Sequence, residues 1–201
     1  MMIKKFLLVT AATGALAACG GSWSTDYQPI DPAKSKNWTV RDVQVSVPKN
    51  LTTSEVNTYT PNYDIVWHGE PYGDRRAQVA KIMDDGITAG TKGLRGPQPV
   101  TIAVTLKQFH AITPKVRYSL ETAGVHNIQY TAQVFDAKGQ PLTAPQFIQA
   151  DLPALVGEAG NEADRKGFTQ KVQIEQHLAK VTAGWLGIGP DVRSSFVRSG
   201  R

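Results

Sequence analysis

Residues able to do chemistry are few in this chain and stand far apart. There is one cysteine, Cys19. Its thiolate could attack an electrophile, ligate a metal or be alkylated, but a single thiol forms no internal disulfide. The four histidines are His68, His110, His126 and His177. Histidine-based zinc sites usually contain at least one close ligand pair, and none exists here, so these read as ordinary surface or strand histidines. Asp84 and Asp85 are adjacent. Neighbouring positions on a helix point about 100° apart, so the two carboxylates suit a solvated face better than a shared proton or ion. Glu158, Glu162 and Asp164 gather near a helix start, where negative charge complements the helix dipole. The sequence contains no G-x-S-x-G elbow, H-E-x-x-H pair, G-x-x-x-x-G-K-[ST] loop or strand-borne G-x-G-x-x-G. Nothing in these patterns designates a catalytic residue, a metal site or a cofactor.

The informative chemistry lies around Cys19. Lys4 and Lys5 precede an apolar run of 13 residues from Phe6 to Ala18, which ends Leu16-Ala17-Ala18-Cys19-Gly20. A positive start, a short hydrophobic segment and small residues at the cut form an export signal. As a helix the run spans about 20 Å, short of the roughly 30 Å of a bilayer core. It therefore suits a cleavable signal rather than a permanent anchor. The pattern resembles the lipobox of bacterial lipoproteins. That resemblance implies diacylglycerol on the Cys19 sulfur, cleavage before it and acylation of the new amine. It also implies a membrane-lipid partner through Cys19 and a place in the cell envelope. Gly20 and Gly21 follow where lipoproteins kept at the inner membrane often carry Asp, which points to the outer membrane, facing the periplasm.

Removal of residues 1–18 leaves about 183 residues, enough for one domain with a sizeable core. Twenty basic residues then face 17 acidic ones. So mild an excess gives no argument for nucleic acid. Arg193, Arg198 and Arg201 gather near the C-terminus, where they suit a solvated tail. Residues 19–37 are small, polar and proline-bearing. They suggest a flexible tether spanning roughly 20–25 Å, with Trp23 and Tyr27 near the headgroups or docked back.

From Trp38 the chain reads as structure. Val43, Val45 and Val47 alternate with polar residues in a strand stopped by Pro48, and Asp64–Trp67 forms a short second strand. A helix follows Asp74, with Val79, Ile82, Met83, Gly86, Ile87 and Gly90 on one stripe. The glycines weaken it by about 1 kcal/mol each, which close packing on a sheet would offset. Val100, Ile102, Val104 and Leu106 mark the clearest strand. Residues 111–124 suit a short turn or helix. Ile128, Tyr130, Ala132 and Val134 lead to a turn at Asp136–Gly139, and the prolines place its return strand, within 141–152, at a sheet edge. One closing helix runs from about Glu162 to Leu186 with Asn161 as cap, and 190–201 is a loose tail. The expected fold is α+β over residues 38–189. It has a mostly antiparallel sheet of about four to five strands, with two amphipathic helices packed on one face.

These features resemble the small auxiliary lipoproteins of Gram-negative ABC transport systems over about residues 65–187. The shared marks are the lipobox, the polar tether, the helix before a strand ending in Phe109-His110, the Asp136-Ala137-Lys138-Gly139 hairpin and the closing amphipathic helix. The insertion at 111–124 and the loop at 152–161 depart from that group, and an uncharacterised proteobacterial lipoprotein family fits more closely. The resemblance implies an accessory subunit of a transport or envelope-assembly system and supplies no catalytic residues. A partner surface is then expected where aromatics meet charge, at Tyr63, Trp67, Tyr72, Arg75 and Arg76; the alternative places Tyr63 and Trp67 in the core. Two other functions stay open on sequence. One is a carrier holding a lipid or small apolar ligand beneath the 79–90 stripe. The other is a hydrolase whose site assembles from distant residues.

Overall fold

The computed structural model describes residues 21–199. The leader and Cys19 lie outside the described residues, as do Gly200 and Arg201. The order of elements is β1 (Gly21–Asp26), α1 (Pro32–Ser35), β2 (Trp38–Ser46), β3 (Thr53–Ser54), β4 (Ile65–Val66), α2 (Arg75–Thr91) and β5 (Gln98–His110). Then follow α3 (Pro114–Ser119), β6 (Val125–Asp136), β7 (Gln146–Ala150), β8 (Leu152–Pro153), α4 (Gly157–Arg165), α5 (Gln170–Trp185) and β9 (Ser194–Arg198).

Among the described residues all nine strands join one mixed sheet, ordered β3-β4-β5-β6-β7-β1-β9, with β2 beside β5 and β8 beside β6. The expected four-to-five-stranded, mostly antiparallel sheet is thus too small and too uniform. β2 and β4 both run parallel to β5. The reason lies in the connection: α2 carries the chain across the sheet between these strands, and such a crossover returns it in the same direction. β5, β6 and β7 keep the expected antiparallel meander. The turn between β6 and β7 is fixed by the Asp136 carboxylate, whose Oδ1 accepts from the backbone N–H of Lys138 and Gln140 at 2.8 Å each. β7 is interior rather than an edge, because Pro141 and Pro145 precede it and leave its own N–H groups free to pair with β6 and β1.

The alternating residues of β5 and β6 put Val100, Ile102, Val104, Leu106, Ile128, Tyr130, Ala132 and Val134 on one buried face. α2 and α5 cover it. Asp74 caps α2 by accepting from Arg76 and Ala77 N–H. Gly86 and Gly90 do allow close packing, but against α5 rather than the sheet. A Cβ at Gly86 would stand 2.8 Å from Leu178 Cβ, and one at Gly90 2.5 Å from the Ala179 carbonyl oxygen. The stripe that a carrier would use to line a cavity is therefore filled by helix–helix contact.

The closing helix is two helices. Gly167, at φ 75°, ends the α4 turn, and the Thr169 hydroxyl caps α5. Within the segments expected as tether and tail, residues 21–26 and 194–198 are strands. Gly21–Thr25 pairs residue by residue with Arg198–Ser194, while Thr25 and Asp26 pair with Ala150 and Gln149 of β7. The Trp23 indole donates to the Arg198 carbonyl at 3.0 Å. The cause is the open side of β7, whose backbone groups need partners that no helix can provide. Among the described residues no helix is long and apolar enough to cross a membrane.

Candidate functional site

The aromatic and basic residues at 63–76 do not form one surface. Trp67 is wholly buried, packs edge-to-face on Phe109 at 5.9 Å and donates from Nε1 to Glu70 Oε2 at 2.9 Å. Arg75 is also withdrawn. It grips Glu55 through Nε (2.6 Å) and Nη2 (2.9 Å), and Nη1 reaches the Glu70 and Pro71 carbonyls and Gln78 Oε1. That grip holds the Glu55 carboxyl below its ordinary range. Arg76 donates to the carbonyls of Lys49 and Leu51, tying the 49–51 loop to α2. Tyr63 and Tyr72 remain at the surface, and Tyr72 is 86% exposed. Side chains with long apolar or forked ends found partners inside the loop cluster, so only the two tyrosines keep the expected exposure.

The same loop opens onto a polar cleft of about 310 Å³ that sequence reasoning missed. His68 and Gly69 form one wall, Pro114, Arg117 and Tyr118 of α3 a second, and Asp164, Thr169 and Gln170 a third. Each wall has a local cause. Gly69 is where the chain passes over the Trp67 ring, so closely that any Cβ there would strike the ring. α3 starts on Pro114, with the Thr113 hydroxyl accepting from Val116 N–H at 3.3 Å and donating to the Thr58 carbonyl at 2.8 Å. Gln170 opens α5 directly behind its cap.

Arg117 is the cleft's structural centre, only 2% exposed. It pairs with Asp164 in a two-pronged contact, Nε to Oδ2 at 3.0 Å and Nη2 to Oδ1 at 2.7 Å. Nη1 donates to the Leu155 carbonyl at 2.7 Å and Nη2 to that of Gly160 at 3.1 Å. A buried guanidinium needs this much compensation. Its charge is therefore matched from within. Two other polar atoms are not: His68 Nε2 and Gln170 Oε1 are buried and have no hydrogen-bond partner among the described residues. Buried polar atoms are ordinarily paired, so these two side chains of the cleft lining carry unmet hydrogen-bonding capacity. Nearby, Lys171 pairs with Glu70 at 2.8 Å. Burial pushes the Glu70 carboxyl up, but the bonds from Lys171 and Trp67 outweigh it and hold the group below its ordinary range.

No other histidine joins His68. His110 Nε2 lies 2.7 Å from the Pro61 carbonyl. His126 is fully buried, which lowers its pKa to about 3. His177 faces Thr25 Oγ1 at 3.2 Å, and burial lowers it to about 4. Asp84 accepts from Thr88, and Asp85 pairs with Lys81 on the solvent side of α2. Among the described residues no group of three His, Cys, Asp or Glu side chains is placed to hold a metal ion. Thr169 is the aliphatic hydroxyl on the cleft, and it caps α5 by accepting from Val172 N–H. The cleft lining thus includes an imidazole and an amide beside the Arg117–Asp164 pair.

On the opposite side of α3 lies an apolar groove of about 340 Å³, lined by Val116, Leu120, Ala123 and Tyr59 and reaching Ser199.

A comparison with curated proteins returned no match. Among solved structures the chain is similar to a DUF330-family protein from Xanthomonas campestris, at 15% identity and a TM-score of 0.45, over 74% of this chain and 83% of that one. It is also similar to a PelC dodecamer subunit from Paraburkholderia phytofirmans (11% identity, TM-score 0.34, 83% of this chain and 99% of that one). A minor lipoprotein from Acinetobacter baumannii is similar at 12% identity and a TM-score of 0.31, over 71% of this chain and 89% of that one. The family model described as a family of unknown function, DUF6778, matches residues 38–200, from the first residue of β2 to past β9, and the chain therefore belongs to that family.

Proposed function

We propose that this protein is a lipid-anchored envelope lipoprotein, facing the periplasm from the outer membrane, that acts by binding rather than by catalysis. In this proposal it serves as an accessory subunit of a transport or envelope-assembly system. The observation that carries it is Leu16-Ala17-Ala18-Cys19, with the only cysteine of the chain at the lipidation position behind a signal-like leader. Anchoring confines the domain to a surface and raises its effective concentration for a partner there. The partner-binding feature is the polar cleft, whose His68 and Gln170 have unmet hydrogen bonds. Tyr72, on the loop that leaves Gly69, adds an exposed aromatic ring close by in sequence.

Intact-mass spectrometry of the protein purified from its native host tests the anchor. The expected species starts at Cys19 and carries acyl mass; a free thiol on an uncleaved leader would overturn it. A photo-crosslinking residue at Tyr118 tests the cleft in intact cells. It should give a discrete adduct with one envelope protein, and the same residue at Lys138 should not. Equal capture at both positions would remove the cleft from the proposal.

A further inference from the structure

The anchor and the domain are joined with almost no slack. β1 begins at Gly21, two residues after Cys19, and is paired from its first residue: Gly21 with Arg198, Ser22 with Val197, Trp23 with Phe196. The strand is also held by side chains. Ser24 N–H donates to Asp151 Oδ2 at 3.2 Å and Thr25 Oγ1 to the Asp151 carbonyl at 2.9 Å. The Asp151 carboxylate is in turn tied to β6 through Asn127 Nδ2 (2.6 Å) and Ile128 N–H (3.1 Å). Two residues reach at most about 7 Å. A lipid on Cys19 would therefore hold the Gly21 corner of the domain at the bilayer, instead of letting the domain float on a coil.

That corner borders the apolar groove. Gly21 pairs with Arg198, and the next residue, Ser199, lines the groove and accepts from Gly124 N–H at 2.9 Å. Its lining side chains include Val116, Leu120, Ala123 and Tyr59. The surroundings suit a bilayer surface. Lys115 sits over the 44%-exposed Tyr59 ring, its Nζ 4.5 Å from the ring centre. Arg198 donates to the Thr122 carbonyl at 2.9 Å. The neighbouring acid, Glu121, points its carboxylate toward Gly157 at the start of α4. Tyrosine, lysine and arginine around an apolar strip match the headgroup region of an anionic membrane.

Resting on the anchoring proposed above, we propose that the groove between α3, the 59–60 loop and the end of β9 is the face that seats on the lipid bilayer. The occupant is the membrane surface rather than the protein's own acyl chains. A half-open groove covers a methylene less completely than a bilayer does, so the anchor chains stay in the membrane and bring the groove down onto it.

The test uses the full chain with its acylation verified by intact mass, so that an introduced cysteine is the sole free thiol. Leu120→Cys and, separately, the more exposed Tyr59→Cys receive an environment-sensitive fluorophore. Lys138→Cys is the reference: its hairpin lies at the other end of β6, about 36 Å along that strand from the groove. The proteins are inserted in vesicles of phosphatidylethanolamine and phosphatidylglycerol carrying brominated acyl chains. Quenching at positions 59 and 120 should exceed that at 138 by about three-fold or more, as for an apolar face sunk into the headgroup boundary. Equal quenching at all three positions in acylated protein would overturn the seating and leave the anchor intact. Shielding from aqueous iodide at 120 without quenching by brominated lipid would mean that the groove holds the protein's own chain, and would also overturn it. A free Cys19 thiol would remove the anchor and this inference together, and the mass measurement reports that separately.

Discussion

α3 separates two hollows, and its two sides could hardly differ more. Pro114, Arg117 and Tyr118, at positions i, i+3 and i+4, turn toward the polar cleft. Val116 turns toward the apolar groove, which Leu120, in extended backbone just past the helix end, also lines. Six residues of helix thus serve two environments, because 3.6 residues per turn sorts alternate members to opposite sides. On the polar side a buried charge is fully matched by Asp164 and two carbonyls, while two polar atoms are left unmatched. On the apolar side Val116 is packed with Ile112, Ala154 and Val156, with Leu120 partly buried against them. Each hollow thus combines a packed floor with a more exposed rim.

Substitutions that attack floor and rim separately should show this. The largest effect is expected from Asp164→Ala, which leaves the Arg117 guanidinium buried without its counter-ion. It should lower stability by about 3–5 kcal/mol, read from the urea midpoint; a loss under about 1 kcal/mol would mean that the pair is not what holds α3 to α4. Val116→Ala, on the groove floor, should cost about 2 kcal/mol from two lost methyl groups and the space they leave. Gln170→Leu should leave stability unchanged or raise it slightly, because it removes a buried carbonyl that has no partner. The same change should abolish crosslinking from Tyr118, and persistence of the adduct would show that the amide is not a binding group. Tyr118→Ala, at 62% exposure, should change stability by no more than about 0.5 kcal/mol. A larger loss would move Tyr118 from the rim to the floor.

Much of the fold was legible locally. The β5 and β6 alternation, the α2 stripe with its Asp74 cap and the Asp136 turn all follow from short-range patterns. The strands at 21–26 and 194–198 were not legible, because neither has an apolar alternation of its own. They exist through pairing: β9 with β1, and β1 with both β9 and β7. The break between α4 and α5 was marked by Gly167 and Thr169, yet the apolar residues on either side gave the appearance of one helix. The cleft left no motif at all. His68, Arg117, Asp164 and Gln170 are spread over a hundred positions and meet only because α3, α4 and α5 converge beside β4.

The sequence by itself determined the elements with strong periods and caps, and it singled out Cys19, behind a short apolar run, as the candidate for lipidation. Such features depend on residues within a turn or two of each other, or on a contiguous motif. Tertiary structure decided the rest: which strands run parallel, where Arg75 and Trp67 go, which polar atoms lack partners, and that residue 21 begins a strand rather than a coil. Those outcomes depend on contacts between distant segments, and backbone groups at a sheet edge accept any extended segment that reaches them.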